Sequence, residues 1–155
     1  MYTFFLGDGD VVITFCGHAD YIGGKESKKD MLRLLEEIIG GTEADILLGG
    51  YGGFDSLALS ASVAYRAAHG NVRLFLVSPY PDGKCRNLPI AKEDCDEIVY
   101  PPIENAPRRL AIIKRNEWMI RESEIVIAHV KHCVGGAYRS LCYAQKLGKS
   151  IIPFE

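Results

Sequence analysis

Short apolar runs alternate along this chain with stretches in which apolar residues return every third or fourth position. Val11-Val-Ile-Thr-Phe15 is β-branched and apolar, which predicts a buried strand. Over residues 26–39 the apolar positions Met31, Leu34, Leu35, Ile38 and Ile39 have helical spacing, and Gly40-Gly41 ends the run. Ala44-Asp-Ile-Leu-Leu48 predicts a second strand, and the Ala- and Leu-rich residues 56–68 a second helix. A third strand is expected over 71–78, a polar surface loop or short helix over 79–93, and a short strand over 97–100. Residues 106–122 read as a helix with Pro107 in its first turn. A strand over 124–130, a helix from Gly135-Gly136 to Leu147 and a last strand over 150–154 complete the pattern.

Strands that alternate with helices imply right-handed βαβ units and an α/β fold with a mostly parallel sheet covered on both faces. In such sheets ligands bind outside the carboxyl ends of the strands, where the strand order reverses. Three glycine-bearing segments fall at strand carboxyl ends: Gly17-His18, the run Gly49, Gly50, Gly52 and Gly53, and Gly135-Gly136. A glycine loop between a strand and a helix N-terminus presents free N–H groups at the positive end of the helix dipole, which suits phosphate. The bland alternative for each loop is a tight turn without a ligand.

Some residues break the local pattern. Asn116 interrupts the apolar stripe Ile112, Ile113, Met119 and Ile120, so it either ties down a backbone loop or touches a ligand. Arg115 flanks that stripe and, with Arg108 and Arg109, is a candidate cation for a phosphate crevice. Asp55 lies at the start of the second helix, either as a helix cap or as an acceptor for a ribose hydroxyl or a base. Tyr51 and Tyr138 are candidates for stacking on a base, or for loop packing. The spacing of His129, His132 and Cys133 matches no established structural zinc site, and Cys85 and Cys95 lack C-x-x-C spacing, so no metal is expected.

Composition narrows the classes. The 155 residues fit one domain spanning 1–155, with 48% hydrophobic and 25% charged residues. Five cysteines at irregular spacing read as reduced thiols in a cytoplasm. Met1 to Phe15 has no basic n-region, and Asp8 and Asp10 interrupt it, so no signal peptide is expected. No apolar run is long enough to span a bilayer. A net charge of −2 argues against nucleic acid or an anionic membrane as a partner.

Several stretches together resemble the SLOG superfamily, the group of DprA (Smf), the LOG phosphoribohydrolases and the YpsA-like proteins. They are Phe15-Cys-Gly-His-Ala-Asp20, Gly49-Gly-Tyr-Gly-Gly-Phe-Asp-Ser-Leu-Ala58, Tyr100-Pro-Pro102 followed by Arg115-Asn116, Ser123-Glu-Ile-Val-Ile-Ala128, residues 135–144 and Gly148-Lys-Ser-Ile-Ile-Pro153. The resemblance implies a three-layer Rossmann-like fold and a nucleotide-related ligand at the glycine loops. What it implies is a cytoplasmic binding protein for a nucleotide or an ADP-ribose-like molecule, with no cofactor required. Gly17, His18, Gly49, Gly50, Gly52, Gly53, Asp55, Arg115, Asn116, Gly135 and Gly136 are its candidate ligand contacts. The LOG motif G-G-x-G-T-x-x-E carries a catalytic glutamate, where this chain has Ser56 after the first loop and Cys142 after the second. An N-glycosidase with Asp55 as the acid that stabilises developing positive charge on ribose is the alternative, and a DprA-like nucleic-acid accessory factor the second. A homo-oligomer is compatible with this reading.

Overall fold

A computed structural model describes residues 11–81 and 94–155. The chain start to Asp10, Cys85 and most of the loop expected over 79–93 lie outside the described residues. Among the described residues six strands form one sheet: β1 (Val11–Gly17), β2 (Ala44–Leu48), β3 (Val72–Val77), β4 (Glu97–Val99), β5 (Ile125–His129) and β6 (Ser150–Pro153). Their order is β4-β3-β2-β1-β5-β6, and every neighbouring pair is parallel. The order therefore reverses at β1, between β2 and β5.

Alternation along the strands decides which layer covers which face. Ile13, Phe15, Ile46, Leu48, Leu74 and Leu76 pack under α1 (Lys25–Ile39) and α2 (Gly53–His69), against Met31, Leu35, Ala58 and Leu59. Their neighbours Val12, Leu47, Phe75, Val77 and Val99 meet Trp118 and Met119 of α3 (Ala111–Glu122) on the opposite face. Cys16, Val126 and Ala128 pack with Ile120 and with Ala144 of α4 (Gly136–Lys146). The result is the expected three-layer α/β fold. Among the described residues no helix is long and apolar enough to cross a membrane.

Three elements depart from expectation in ways that bear on the site. Helix α2 begins at Gly53, three residues early, because backbone carbonyls of the β1 loop receive its first N–H groups. The stretch after Pro107 opens as a 3-10 turn, Arg108–Leu110, and only then becomes α3. The buried side of α3 is also rotated from the expected stripe. Ala111, Arg115, Trp118, Met119 and Ile120 are buried, whereas Ile112 and Ile113 are half-exposed. Arg115, not Asn116, is the polar residue within the stripe.

Candidate functional site

The carboxyl ends of β1, β2 and β5 carry the three glycine loops. In the β1 loop, His18 Nε2 accepts the N–H of Lys131 at 2.7 Å and that of His132 at 3.2 Å. One unprotonated imidazole nitrogen thus holds the β1 loop to the β5 loop. Burial is the main reason the His18 pKa lies below its ordinary value, reinforced by His132 and His129 and opposed by Asp20. A histidine whose folded pKa is depressed contributes stability fully present above its unfolded pKa and lost as pH falls through the folded one. Stability is therefore expected to drop on acidification below about pH 6.5, and His18→Gln, whose amide oxygen accepts N–H at any pH, should flatten that part of the profile. Thermal melts of both proteins across this range check it. Identical slopes would show that His18 is not the bracket.

At the start of α2 the β2 loop is closed to a phosphate. The Gly53 N–H donates to the Ala19 carbonyl at 2.7 Å, and the Phe54 N–H to the His18 carbonyl at 3.4 Å. Gly52 has φ +92°, and a Cβ there would press on Ala19. Gly50 also takes positive φ, +70°. Gly53 lies so close to the Tyr21 carbonyl that no Cβ fits. The expectation that the Gly53 amide cradles an anion is thus corrected: two carbonyls of the protein already occupy the positive end of α2. Gly17 is similarly constrained, since a Cβ would run into the Phe54 ring.

Arg115 serves this closed loop. It is 2% exposed. Its Nη1 donates to the Gly49 carbonyl at 2.6 Å and the Val77 carbonyl at 2.8 Å, and its Nε to Asn116 Oδ1 at 2.8 Å. The expected phosphate cation is instead a tie between the β2 and β3 ends, and Asn116 holds the tie in place. Arg108 stacks on Tyr80, 4.8 Å from the ring centroid. Asp55 sits in the first turn of α2 and accepts the Tyr51 N–H at 2.9 Å. Burial pushes its carboxyl up to about 6, against the Tyr51 hydrogen bond and the Arg115 charge. The same burial, with Asp55 nearby, pushes the Cys16 thiol up to about 12, so it is an inert wall.

The β5 loop is different. Gly135 has φ +93°, and a Cβ at Gly135 or Gly136 would meet open space. Helix α4 starts there. In front of it lies a cavity of about 380 Å³ at the β1/β5 reversal, lined by Gly17, His18, Asp55, Asn116, Gly136 and Ser140 among others. Tyr51, 44% exposed, and Val134, 75% exposed, stand at its edge. His129 faces inward instead, stacked on Phe54 with Nδ1 2.9 Å from the Phe154 carbonyl. Among the described residues no group of three or more His, Cys, Asp or Glu side chains is placed to hold a metal ion. Sequence reasoning missed Ser140. Its four-residue spacing from Gly136 and from buried Ala144 was the available signal.

No family model and no curated protein matches the chain. Solved structures do. DNA processing protein A from Streptococcus pneumoniae superposes with a TM-score of 0.67 at 15% identity, over 93% of this chain and 50% of that one. The Helicobacter pylori protein of the same name gives 0.61 at 19%, over 94% and 66%. The molybdenum cofactor carrier protein from Chlamydomonas reinhardtii gives 0.60 at 15%, over 93% and 76%. The chain shares the fold of these proteins, as the sequence resemblance implied. The chain spans between half and two thirds of the length of the two DNA processing proteins. The expectation against nucleic acid is corrected here, because the H. pylori protein with this fold binds single-stranded DNA. A net charge summed over the whole chain does not report the field in one cleft.

Proposed function

We propose that the chain is a cytoplasmic binding protein for a nucleotide derivative, held in the cavity at the β1/β5 reversal. One observation carries this reading: the open N-terminus of α4 and the Asp55 carboxyl line the same hollow. Free N–H groups at Gly136 and Ala137 would take a phosphate. Asp55, one oxygen of which is bound to Tyr51, would accept from a ribose hydroxyl. The β2 loop would shape the wall rather than donate.

A thermal-shift and calorimetric panel of nucleotides tests the reading, with single-stranded DNA and the molybdenum cofactor as further arms because proteins of this fold carry those names. A ligand at 100 times its dissociation constant adds about 2.7 kcal/mol. No heat and no shift with any nucleotide would end the proposal.

Asp55→Asn separates ligand binding from a merely structural role. A charge-assisted hydrogen bond is worth roughly 1.5–3 kcal/mol, so nucleotide affinity should fall about 10- to 150-fold. The acid's folded pKa is raised, so the folded state holds its proton better than the unfolded chain. The charged form therefore costs stability, a cost that grows from about pH 4 and is complete above about pH 6. The variant should accordingly melt higher than the parent above pH 6, and this gain should vanish near pH 4. An N-glycosidase is the second reading, favoured by the place of the Asp55 carboxyl in the cavity lining, where it would stabilise positive charge developing on a ribose. Free base released by the parent and not by Asp55→Asn would establish it.

A further inference from the structure

The β1–β5 ladder ends at Gly17 and His129. Beyond it, residues 131–136 are exposed and carry the chain to the start of α4. Among the described residues, two hydrogen bonds join this stretch to the β1 loop, and both end on one atom. The N–H groups of Lys131 and His132 converge on His18 Nε2 at 2.7 and 3.2 Å. A backbone amide only donates, so the bracket exists while that nitrogen keeps its lone pair. Protonation would set a third N–H against the other two and leave no acceptor among them.

The surroundings add to the effect. Three of the chain's four histidines meet here. The His132 ring centroid is 4.7 Å from that of His18, and the His129 centroid 6.1 Å. Lys131 carries a charge on the same loop, and Asp20 in the β1 loop is the acid that opposes them. Acidification therefore gathers charge of one sign on both sides of the bracket. Of the other ionisable groups lining the cavity, Arg115 keeps its charge, the Cys16 thiol is neutral, and Asp55 loses its charge below about 6. The loop held by His18 leads directly into the open start of α4, so whatever frees the loop also frees the Gly136 and Ala137 N–H groups.

We propose that the His18 imidazole is a proton-operated latch on the cavity. Neutral, it holds the β5 loop and the α4 start in place for an anion; protonated, it lets them go and the ligand leaves. This rests on the phosphate reading of the cavity above and adds the regulation of that site.

Ligand-free ¹⁵N NMR of the parent and of His18→Gln tests the latch. In the parent, the Lys131 and His132 amide resonances should follow the His18 ring titration. The heteronuclear NOE over 131–136 should fall as His18 protonates, while that over 49–55 holds. In the variant both should stay flat. Sulfate, whose charge is constant between about pH 5 and pH 8, tests the gating when read at the Gly136 and Ala137 amides. A charged His132 and a neutral Asp55 both favour an anion, so without a latch sulfate would bind more tightly in acid. The parent should do the reverse, binding at least about tenfold more weakly at the acid end, and the variant should not. By reciprocity, saturating sulfate should push the His18 midpoint down. An upward push would make His18 a cationic ligand contact and overturn the proposal. So would loop amides that ignore the His18 titration or move equally in the variant. If sulfate binds while the loop stays closed in acid, the latch alone fails. If the loop opens but sulfate binds at no pH, the phosphate reading fails and the gating with it.

Discussion

Arg115→Ala is expected to destabilise the folded chain by about 3–5 kcal/mol, the range for removing one partner from a buried ionic network. The side chain is almost wholly enclosed and ties together the Gly49 carbonyl, the Val77 carbonyl and Asn116. Truncation leaves two buried carbonyls unmet and opens a hole under the β2 loop. Lysine should not rescue it, because a single ammonium at the end of a flexible stem does not reproduce the planar fork. The arginine also holds the Asp55 pKa down, so a folded remnant should titrate Asp55 higher than the parent. Urea denaturation gives the first quantity and carboxyl NMR the second. A loss below 1 kcal/mol would mean that solvent replaces the guanidinium without difficulty and that the tie is not structural.

Gly53→Ala should be nearly as damaging, at about 3 kcal/mol or more, beyond the usual cost of overpacking because the obstacle is backbone. The added methyl group would fall on the Tyr21 carbonyl and within 3.2 Å of the Ala19 carbonyl oxygen. Neither is a flexible side chain end. Gly136→Ala is the matched control: nothing lies within 4 Å of its Cβ, so the fold should keep its melting temperature to within a degree or two. The informative comparison is between two glycines of the same motif type. If both variants melt alike, the β1 loop is not seated on the start of α2. If Gly53→Ala melts normally and merely loses nucleotide binding, the β2 loop faces the ligand after all.

The fold was legible because β-branched runs and helical spacing repeat in strict alternation, which leaves few topologies. The convergence of Gly17, Gly49 and Gly135 on one sheet edge followed from the same pattern. What each glycine loop does there was not legible. Gly52-Gly53 and Gly135-Gly136 read alike in sequence. Only the path of the β1 loop, whose carbonyls reach across 34 residues of sequence to Gly53, decides that one helix start is filled and the other open. Arg115 was misplaced for a related reason. A charge is assigned to the surface by default, yet its four-residue spacing from Ala111 and Met119 put it on the buried side. Ser140 was overlooked because its four-residue spacing from Gly136 and Ala144 reads as small-residue packing rather than as a site.

Because the β1 loop caps α2, segments 17–21 and 49–55 behave as one block and should accept no insertions. Among the described residues, segment 130–138 is hydrogen-bonded to that block through the His18 imidazole, and a Cβ at Gly135 or Gly136 would meet open space. It is the part of the molecule suited to transplantation. A chimaera that keeps both upstream segments and exchanges only this one should fold as before and acquire the donor's ligand preference.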